Sequence, residues 1–269
     1  GRAYTIVLRP GQTTPAPWVN VIANPNFGFL VAAEGGGFTW AGNSRENQLT
    51  PWSNDPVTNR AGEAFYLRDT GTGDVWCPTA SPRRDPASTY VARHGWGVSS
   101  FDRIAYGIAS TLMQFVPDSD PVKLSRLHLH NLSGRARTLT VSAYVEWVLG
   151  ASRTATAAFV ATEMDGETGA MFARNPWGAA TGQRVAFADM RGAQTGWTGD
   201  RREFIGRNGS LDHPAGVAGP APLSGRVGAG LDPCGAMQAT VHLPPGARAE
   251  VVFVLGEAAD TDEARALVA

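Results

Sequence analysis

The chain has 269 residues, of which 23 are basic and 24 acidic, so its formal net charge is −1. This balance argues against nucleic acid or an anionic membrane surface as partner, because both require a surplus of clustered Lys and Arg. Hydrophobic residues make up 43% of the chain, too many for disorder, and the 32 Gly and 18 Pro predict many turns. No apolar run reaches the ~18 residues of a membrane-spanning helix.

Short alternating runs of apolar and polar residues predict β-strands along the first half of the chain. The predicted strands cover residues 4–8, 18–22, 28–33, 64–69, 74–78, 122–131 and 137–148. In the last of these, Leu139, Val141 and Val145 share one face. We expect that face to be buried and the opposite face to be partly wet.

The second half continues the pattern and sets the fold class. Strands are predicted at residues 159–164, 170–175, 184–189, 236–243 and 248–255. So many short strands without intervening helices predict an all-β fold of two large antiparallel sheets packed face to face. The one predicted helix begins at Asp260 and carries acidic residues in its first turn. Because the sequence stops before that helix is complete, we expect a piece excised from a longer protein.

The cysteines and histidines give only weak evidence of a functional site. Cys77 and Cys234 are far apart and lack the spacing of a zinc site or a disulfide framework. His128 and His130 share a strand face with Arg126, which favours a solvated surface over a metal site. His94 fits either a sugar-binding or general-base residue or an ordinary histidine in a glycine turn.

The loop over residues 35–56 is the most informative segment. It contains aromatic and hydrogen-bonding side chains of the types that bind sugars: Trp40, Arg45, Glu46, Trp52 and Asp55. An equally good interpretation is a packed surface loop over a sheet edge. No nucleophile elbow, phosphate loop or zinc-protease motif is present in the chain. A second long segment, residues 194–233, is predicted to be ordered at 197–211 and flexible at 215–230.

Several motifs together resemble one known family. They lie at residues 14–25, 35–55, 62–69, 76–79, 144–150, 173–177 and 200–206. These motifs resemble the phosphorolytic region of cyclic β-1,2-glucan synthases. That region is similar to the cellobiose and chitobiose phosphorylases of glycoside hydrolase family 94.

The resemblance implies a β-supersandwich domain of the galactose mutarotase-like type over residues 1–259. Residues 260–269 would begin a helical linker to an (α/α)6 catalytic barrel. In the family the general acid and the phosphate-binding residues belong to the barrel, so we expect this chain to have no catalytic residue, no metal and no cofactor. Inorganic phosphate would be a substrate of the larger cytoplasmic protein.

The resemblance also implies a homodimer in which a loop of this domain reaches the partner's active site. By position, that loop carries Arg174 and, as a weaker match, Asn175. We therefore expect a β-glucan or glucooligosaccharide ligand. Two alternatives remain. One is a purely structural domain that never touches sugar, and the other is a self-contained sugar epimerase with His94 or His128 as base.

Overall fold

The fold consists almost entirely of β-strands. The computed structural model describes residues 3–178 and 181–269, so four residues of the predicted 1–259 domain lie outside the described ranges. The strands are β1 (Ala3–Leu8), β2 (Val19–Ala23), β3 (Phe27–Ala32), β4 (Gly37–Ala41), β5 (Glu63–Asp69), β6 (Val75–Trp76), β7 (Tyr90–Gly95), β8 (Val98–Ala105), β9 (Ile108–Phe115), β10 (Val122–Asn131), β11 (Arg137–Glu146), β12 (Ala161–Met164), β13 (Met171–Arg174), β14 (Val185–Asp189), β15 (Gln194–Asp200), β16 (Pro233–Leu243) and β17 (Arg248–Ala258). The helices are α1 (Arg153–Thr156), α2 (Arg201–Ile205), α3 (Ala215–Ala218) and α4 (Thr261–Val268).

The strands form three sheets. A nine-stranded sheet has the order β1-β7-β8-β9-β10-β17-β14-β13-β12, and a five-stranded sheet has the order β15-β16-β11-β5-β6. A three-stranded sheet, β2-β3-β4, completes the structure. All the ladders are antiparallel. The predicted all-β supersandwich is confirmed, and the third sheet is an addition that the strand pattern did not predict.

The main apolar core lies between the two large sheets. Leu139, Val141 and Val145 of β11 are buried there, as predicted, with Leu127 and Leu129 of β10. The opposite face of β11 was predicted to be partly wet, and this holds only for the first half of the strand. Residues Ser142 to Glu146 are buried on both faces, because α2 and α3 cover this part of the five-stranded sheet.

The segment that covers this face was predicted to be flexible at residues 215–230. In the structure Val217 and Leu223 are buried in a second apolar cluster with Phe204. The Gln238 side chain donates to the carbonyl of Gly216 over 2.9 Å. The small residues of this segment therefore allow close packing against β5 and β16 and do not indicate an unstructured excursion.

Strands β7, β8 and β9 are absent from the sequence prediction. Their inward positions include Arg103, Ser110 and Gln114, all of which are buried. Polar residues at inward positions break the alternation on which the prediction depends. His94, for which a glycine turn was one of two interpretations, is a buried residue of β7, and the turn itself follows at Trp96.

A buried ion pair lies inside the sandwich. The Lys123 ammonium contacts one oxygen of Glu63 at 2.7 Å and lies 4.2 Å from the centroid of the Phe29 ring. The other oxygen of Glu63 accepts from the hydroxyls of Thr39 (2.6 Å) and Thr50 (2.7 Å). Burial acts to raise the pKa of Glu63, but Lys123 and the two hydroxyls outweigh it and hold this pKa below its ordinary value.

We expect Lys123→Met to lower the free energy of unfolding by about 3–5 kcal/mol, because the carboxylate of Glu63 stays buried without a counter-charge. Urea denaturation would measure this loss. The double variant K123M/E63Q should recover part of it by removing the charge. The matched control is Arg126→Met, which removes an exposed ion pair with Glu250 and should cost less than about 1 kcal/mol. A loss in K123M no larger than in the control would contradict this account.

The predicted C-terminal helix is confirmed as α4. The side chain of Asp260 accepts from the backbone N–H of Glu263 (2.9 Å), and the side chain of Glu263 accepts from the N–H of Ala259 (2.6 Å). This pattern is a variant of the capping box, in which the back bond goes to the residue before the N-cap Asp260. Arg265 bonds the carboxylate of Asp165 at 2.7 Å, which holds the helix on the outer face of the nine-stranded sheet.

Helix α4 should lose its protection in acid. The hydrogen bond from Arg265 lowers the pKa of Asp165 below its ordinary value of 3.8. Because this pKa is lower in the folded chain than in the unfolded chain, the ionised carboxylate stabilises the docked helix at pH values above the unfolded-state pKa. The stabilisation is lost as the pH falls from the unfolded-state pKa through the folded-state pKa. The protection factors of the α4 amides, which are exchange rates corrected for the intrinsic rate at each pH, should therefore fall below pH ~4. Asp165→Asn should show low protection factors at every pH, and wild-type protection factors that do not change with pH would contradict the prediction.

Candidate functional site

A groove of about 550 Å³ lies between three segments of the chain. These are the loop after β4, the segment from the end of β11 through α1, and the loop after β13. Its aromatic and polar side chains include those of Asn43, Glu46, Phe159, Asn175, Trp177 and Arg184. We call this feature the aromatic groove.

Backbone pairing holds the three segments together. Gln48 pairs with Trp40 on one side and with Gly150 on the other, through hydrogen bonds of 3.0 and 3.2 Å to Gly150. The buried side chain of Asn175 donates to the carbonyl of Leu149 over 2.9 Å. The walls of the groove are therefore fixed by contacts between residues far apart in sequence.

Two exposed aromatic rings line the groove. Trp177 is 77% exposed and Phe159 is 45% exposed, and their ring centroids lie 5.8 Å apart. Large apolar side chains usually lie in the core, so an exposed aromatic pair in a concave surface indicates a surface that can bind another molecule.

The carboxylate of Glu46 lies on the same groove. The side chain of Asn43 accepts from the backbone N–H groups of Arg45 (2.9 Å) and Glu46 (3.0 Å), which fixes the turn that carries Glu46. Glu46 and Asn175, two residues predicted from separate segments, are therefore brought together. The Arg45 side chain is 90% exposed and contacts Glu46 at 3.3 Å, a pairing worth little in free energy because water screens it.

A buried carboxylate supports the groove from beneath. Glu257 accepts from the side-chain amide of Asn47 at 3.0 Å and pairs with Arg184. Burial raises the pKa of Glu257 above its ordinary value, although both partners oppose that shift. Glu257 is therefore engaged by Asn47 and Arg184, and its contact with Arg184 positions that guanidinium group.

Trp52 and Asp55 line a smaller pocket of about 260 Å³ outside the aromatic groove. The half-exposed ring of Trp52 stacks on Phe38 at 5.3 Å. Asp55 accepts from the hydroxyl of Thr58 (2.6 Å) and from nearby backbone N–H groups, and these bonds lower its pKa. Trp40 packs against Phe38 at 5.2 Å and lies on neither pocket.

Arg174 forms contacts within its own chain. It pairs with Glu163 of the neighbouring strand and donates to the hydroxyl of Thr261, the first residue of α4, over 2.8 Å. These bonds tie β13 to the C-terminal helix. They give Arg174 a structural role in this domain.

The histidines occupy different environments. His94 is buried and bonded to the hydroxyl of Ser99 at 2.9 Å, and burial lowers its pKa. His128 is partly exposed on the outer sheet face, as predicted, and lies 3.1 Å from Glu250. Arg126 also bonds Glu250, at 2.8 Å.

Neither thiol nor metal chemistry is supported by the described residues. Cys77 and Cys234 are buried and unpaired, and burial raises the pKa of Cys77 to about 12. Across 3–178 and 181–269, His, Cys, Asp and Glu nowhere form a group of three that could hold a metal ion. The helices described in the structure are all too short or too polar to cross a bilayer.

Phe159, Trp177 and Arg184 were missed as site residues by the sequence analysis. Phe159 was included only as the start of a predicted strand, and Trp177 only as part of a family motif. An available signal was Asn-Pro-Trp directly after a strand, because a large aromatic in a turn has no strand face on which to be buried.

Comparison with known proteins identifies the domain. The family model for the glycosyl hydrolase 94 supersandwich domain matches residues 2–269. The chain is 41% identical over 268 residues to the cyclic beta-(1,2)-glucan synthase NdvB of Rhizobium meliloti (strain 1021), a match covering 100% of this chain and 10% of the synthase. It is 29% identical to the solabiose phosphorylase of Paenibacillus borealis, over 96% of this chain and 34% of that enzyme.

Solved structures agree on the fold. A galactose mutarotase related enzyme from Lactobacillus acidophilus superposes with a TM-score of 0.52 at 8% identity, over 91% of this chain and 99% of that one. At this identity the likeness concerns the fold alone. The chain spans about a tenth of the glucan synthase and a third of the phosphorylase. With the family model matched along nearly its whole length, the chain belongs to the glycosyl hydrolase 94 supersandwich family.

Proposed function

We propose that this domain binds carbohydrate without catalysing a reaction itself, and that its ligand is a β-glucan or glucooligosaccharide. The names of its relatives support this class, since NdvB is a β-1,2-glucan synthase and the other is a disaccharide phosphorylase. The observation that carries the proposal is the exposed Phe159–Trp177 pair in a groove that also holds Glu46 and Asn175.

The groove offers the two kinds of contact that a pyranose needs. The apolar face of a sugar ring would stack on Trp177, whose indole is otherwise in water. Hydroxyl groups on the ring edge would bond the carboxylate of Glu46 and the guanidinium of Arg184. Because Arg184 is already held by Glu257, little side-chain entropy would be lost on binding.

The reaction itself would take place in a larger protein. Residues 260–269, including α4, would begin the linker to an (α/α)6 barrel. There phosphate would attack the anomeric carbon while a carboxylic acid of the barrel protonates the leaving oxygen. This chain would need no cofactor, and phosphate would be a substrate of the whole cytoplasmic enzyme.

A purely structural domain is the second candidate. The contacts of Arg174 with Glu163 and Thr261 favour it, because they occupy a residue expected to reach a partner's active site. A self-contained epimerase has less support. His128 and Glu250 do line one surface depression, but the carboxylate that would pair with His128 is already bonded by Arg126.

Calorimetric titration with β-1,2-glucooligosaccharides, with cellooligosaccharides as the comparison, tests the proposal. We expect saturable heat with the wild type, and in Trp177→Ala a loss of affinity of about threefold to tenfold from the missing stacking surface. The matched control is Trp96→Ala, which removes an indole that is 85% exposed elsewhere on the surface. If only Trp52→Ala lowered the affinity, the sugar would bind in the smaller pocket and not in the aromatic groove. No heat with any ligand would favour the structural domain.

We also propose that the domain pairs with a second copy of itself. Several large apolar side chains are well exposed, among them Tyr4 (83%) and Trp18 (48%), and pairing with a second copy would bury those that adjoin one another, as contiguous apolar patches commonly do. Sedimentation equilibrium should show a dimer that dissociates on dilution. A chain that remains monomeric at the highest soluble concentration would contradict this pairing.

A further inference from the structure

A separate cavity of about 420 Å³ lies among β6, the loop before β7, the end of β8 and residues 212–213. It shares no lining residue with the aromatic groove. Three arginines line it, Arg83, Arg84 and Arg103. We call it the arginine cavity.

Two of these arginines have no carboxylate partner. Arg83 donates to the backbone carbonyl of Asp212 over 2.9 Å, and Arg84 donates to the carbonyl of Gln12. Among the described residues, neither guanidinium forms an ion pair with Asp or Glu. Each therefore keeps its positive charge and several N–H donors available.

The carboxylates at the cavity are already engaged. Asp85 accepts from Ser88 (2.6 Å) and from Arg103 (3.2 Å), and its hydrogen bonds lower its pKa. Asp212 lies 3.0 Å from the ring of His213. Among the described residues, these carboxylates pair with Arg103 and His213 and form no direct ion pair with Arg83 or Arg84.

Positive charge is also crowded around one aromatic ring. The guanidinium carbon of Arg103 lies 4.7 Å from the centroid of the Tyr90 ring, and that of Arg84 lies 5.8 Å from the same centroid. Two cations at one ring repel each other. An anion in the adjoining cavity would relieve that repulsion.

Two buried donors in the cavity wall lack acceptors. The indole N–H of Trp76 and the Nε–H of Arg103 are both buried without a hydrogen-bond partner among the described residues, and Trp76 is 2% exposed. A buried donor without an acceptor is unfavourable, and each such group calls for an explanation. The half-exposed Tyr106 ring lies 5.1 Å from the Trp76 ring.

We propose that the arginine cavity binds a small oxyanion, a phosphate or a carboxylate group. The guanidinium groups of Arg83 and Arg84 would bind it from the rim, since their planar N–H pairs match two oxygens of such an anion. A rotation of Tyr106 would let a third oxygen accept from the indole N–H of Trp76. The site is independent of the proposed sugar groove and adds an anion-binding function to the domain.

An NMR titration of the 269-residue chain tests this site. Phosphate, sulfate and acetate would be added at constant ionic strength, with chloride as the exchanged ion, and the indole N–H signals followed. Trp76→Phe identifies the signal of Trp76. We expect that signal to shift saturably with phosphate or sulfate if the site prefers tetrahedral anions, and with acetate if it prefers a carboxylate.

Variants that remove one arginine charge test whether the change in the NMR signal arises from anion binding in the arginine cavity. Arg83→Gln and Arg84→Gln should each weaken binding roughly tenfold, as expected when one charge-assisted contact is lost. Arg45→Gln is the control, because its side chain is 90% exposed at a different surface, and it should bind as the wild type does. No saturable shift with any anion overturns the proposal. Equal binding by all three variants also overturns it, since the anion would then be adventitious.

Discussion

The contact between Lys123 and Glu63 connects all three sheets at one point. Lys123 belongs to β10 of the nine-stranded sheet and Glu63 to β5 of the five-stranded sheet. Thr39, which bonds the same carboxylate, and Phe29, which faces the ammonium, belong to the three-stranded sheet. A buried ion pair costs desolvation free energy and is tolerated only when its remaining hydrogen bonds are satisfied. Here that requirement fixes the relative positions of three layers, which apolar packing alone would leave free to slide.

The position of the candidate site depends on this contact. Thr39 and Thr50 bond the same oxygen of Glu63, and the hydroxyl of Thr50 also accepts from the N–H of Thr39 at 2.8 Å. These two residues bracket the loop that carries Glu46, so the loop leaves and rejoins the sandwich at a fixed place. The groove therefore forms on a rigid base, although its own wall is irregular. A shallow binding surface makes few contacts with its ligand, and a rigid support keeps the contacting side chains in position.

Sequence reasoning was reliable where one physical constraint decided the structure. The alternation in β11 predicted its core face correctly, because that face meets only apolar neighbours. Strands β7 to β9 were missed because Arg103 and its neighbours are polar yet point inward, where the two terminal guanidinium nitrogens of Arg103 bond Cys77 and Ser88. The groove was only half predicted for the same reason. Glu46 was suggested by residue type and Asn175 by its position in the family resemblance, but their meeting, and the part played by Trp177, depend on tertiary contacts that no local pattern contains. Asp55 bonds within its own turn and Arg174 bonds the first residue of α4, and the sugar contacts expected of them stay predictions.

The sheet order has a consequence for the way this chain acquires its structure. Strand β17 pairs with β10 on one side and with β14 on the other, and β16 similarly lies between β11 and β15. Each large sheet is therefore completed by one of the last two strands of the chain. During synthesis, the earlier strands can form only partial sheets with unpaired edges until residues 233–258 have left the ribosome. Such non-local pairing folds slowly and leaves exposed edges for aggregation. A polypeptide that ends before these two strands would be expected to need chaperones, however complete its earlier strands are.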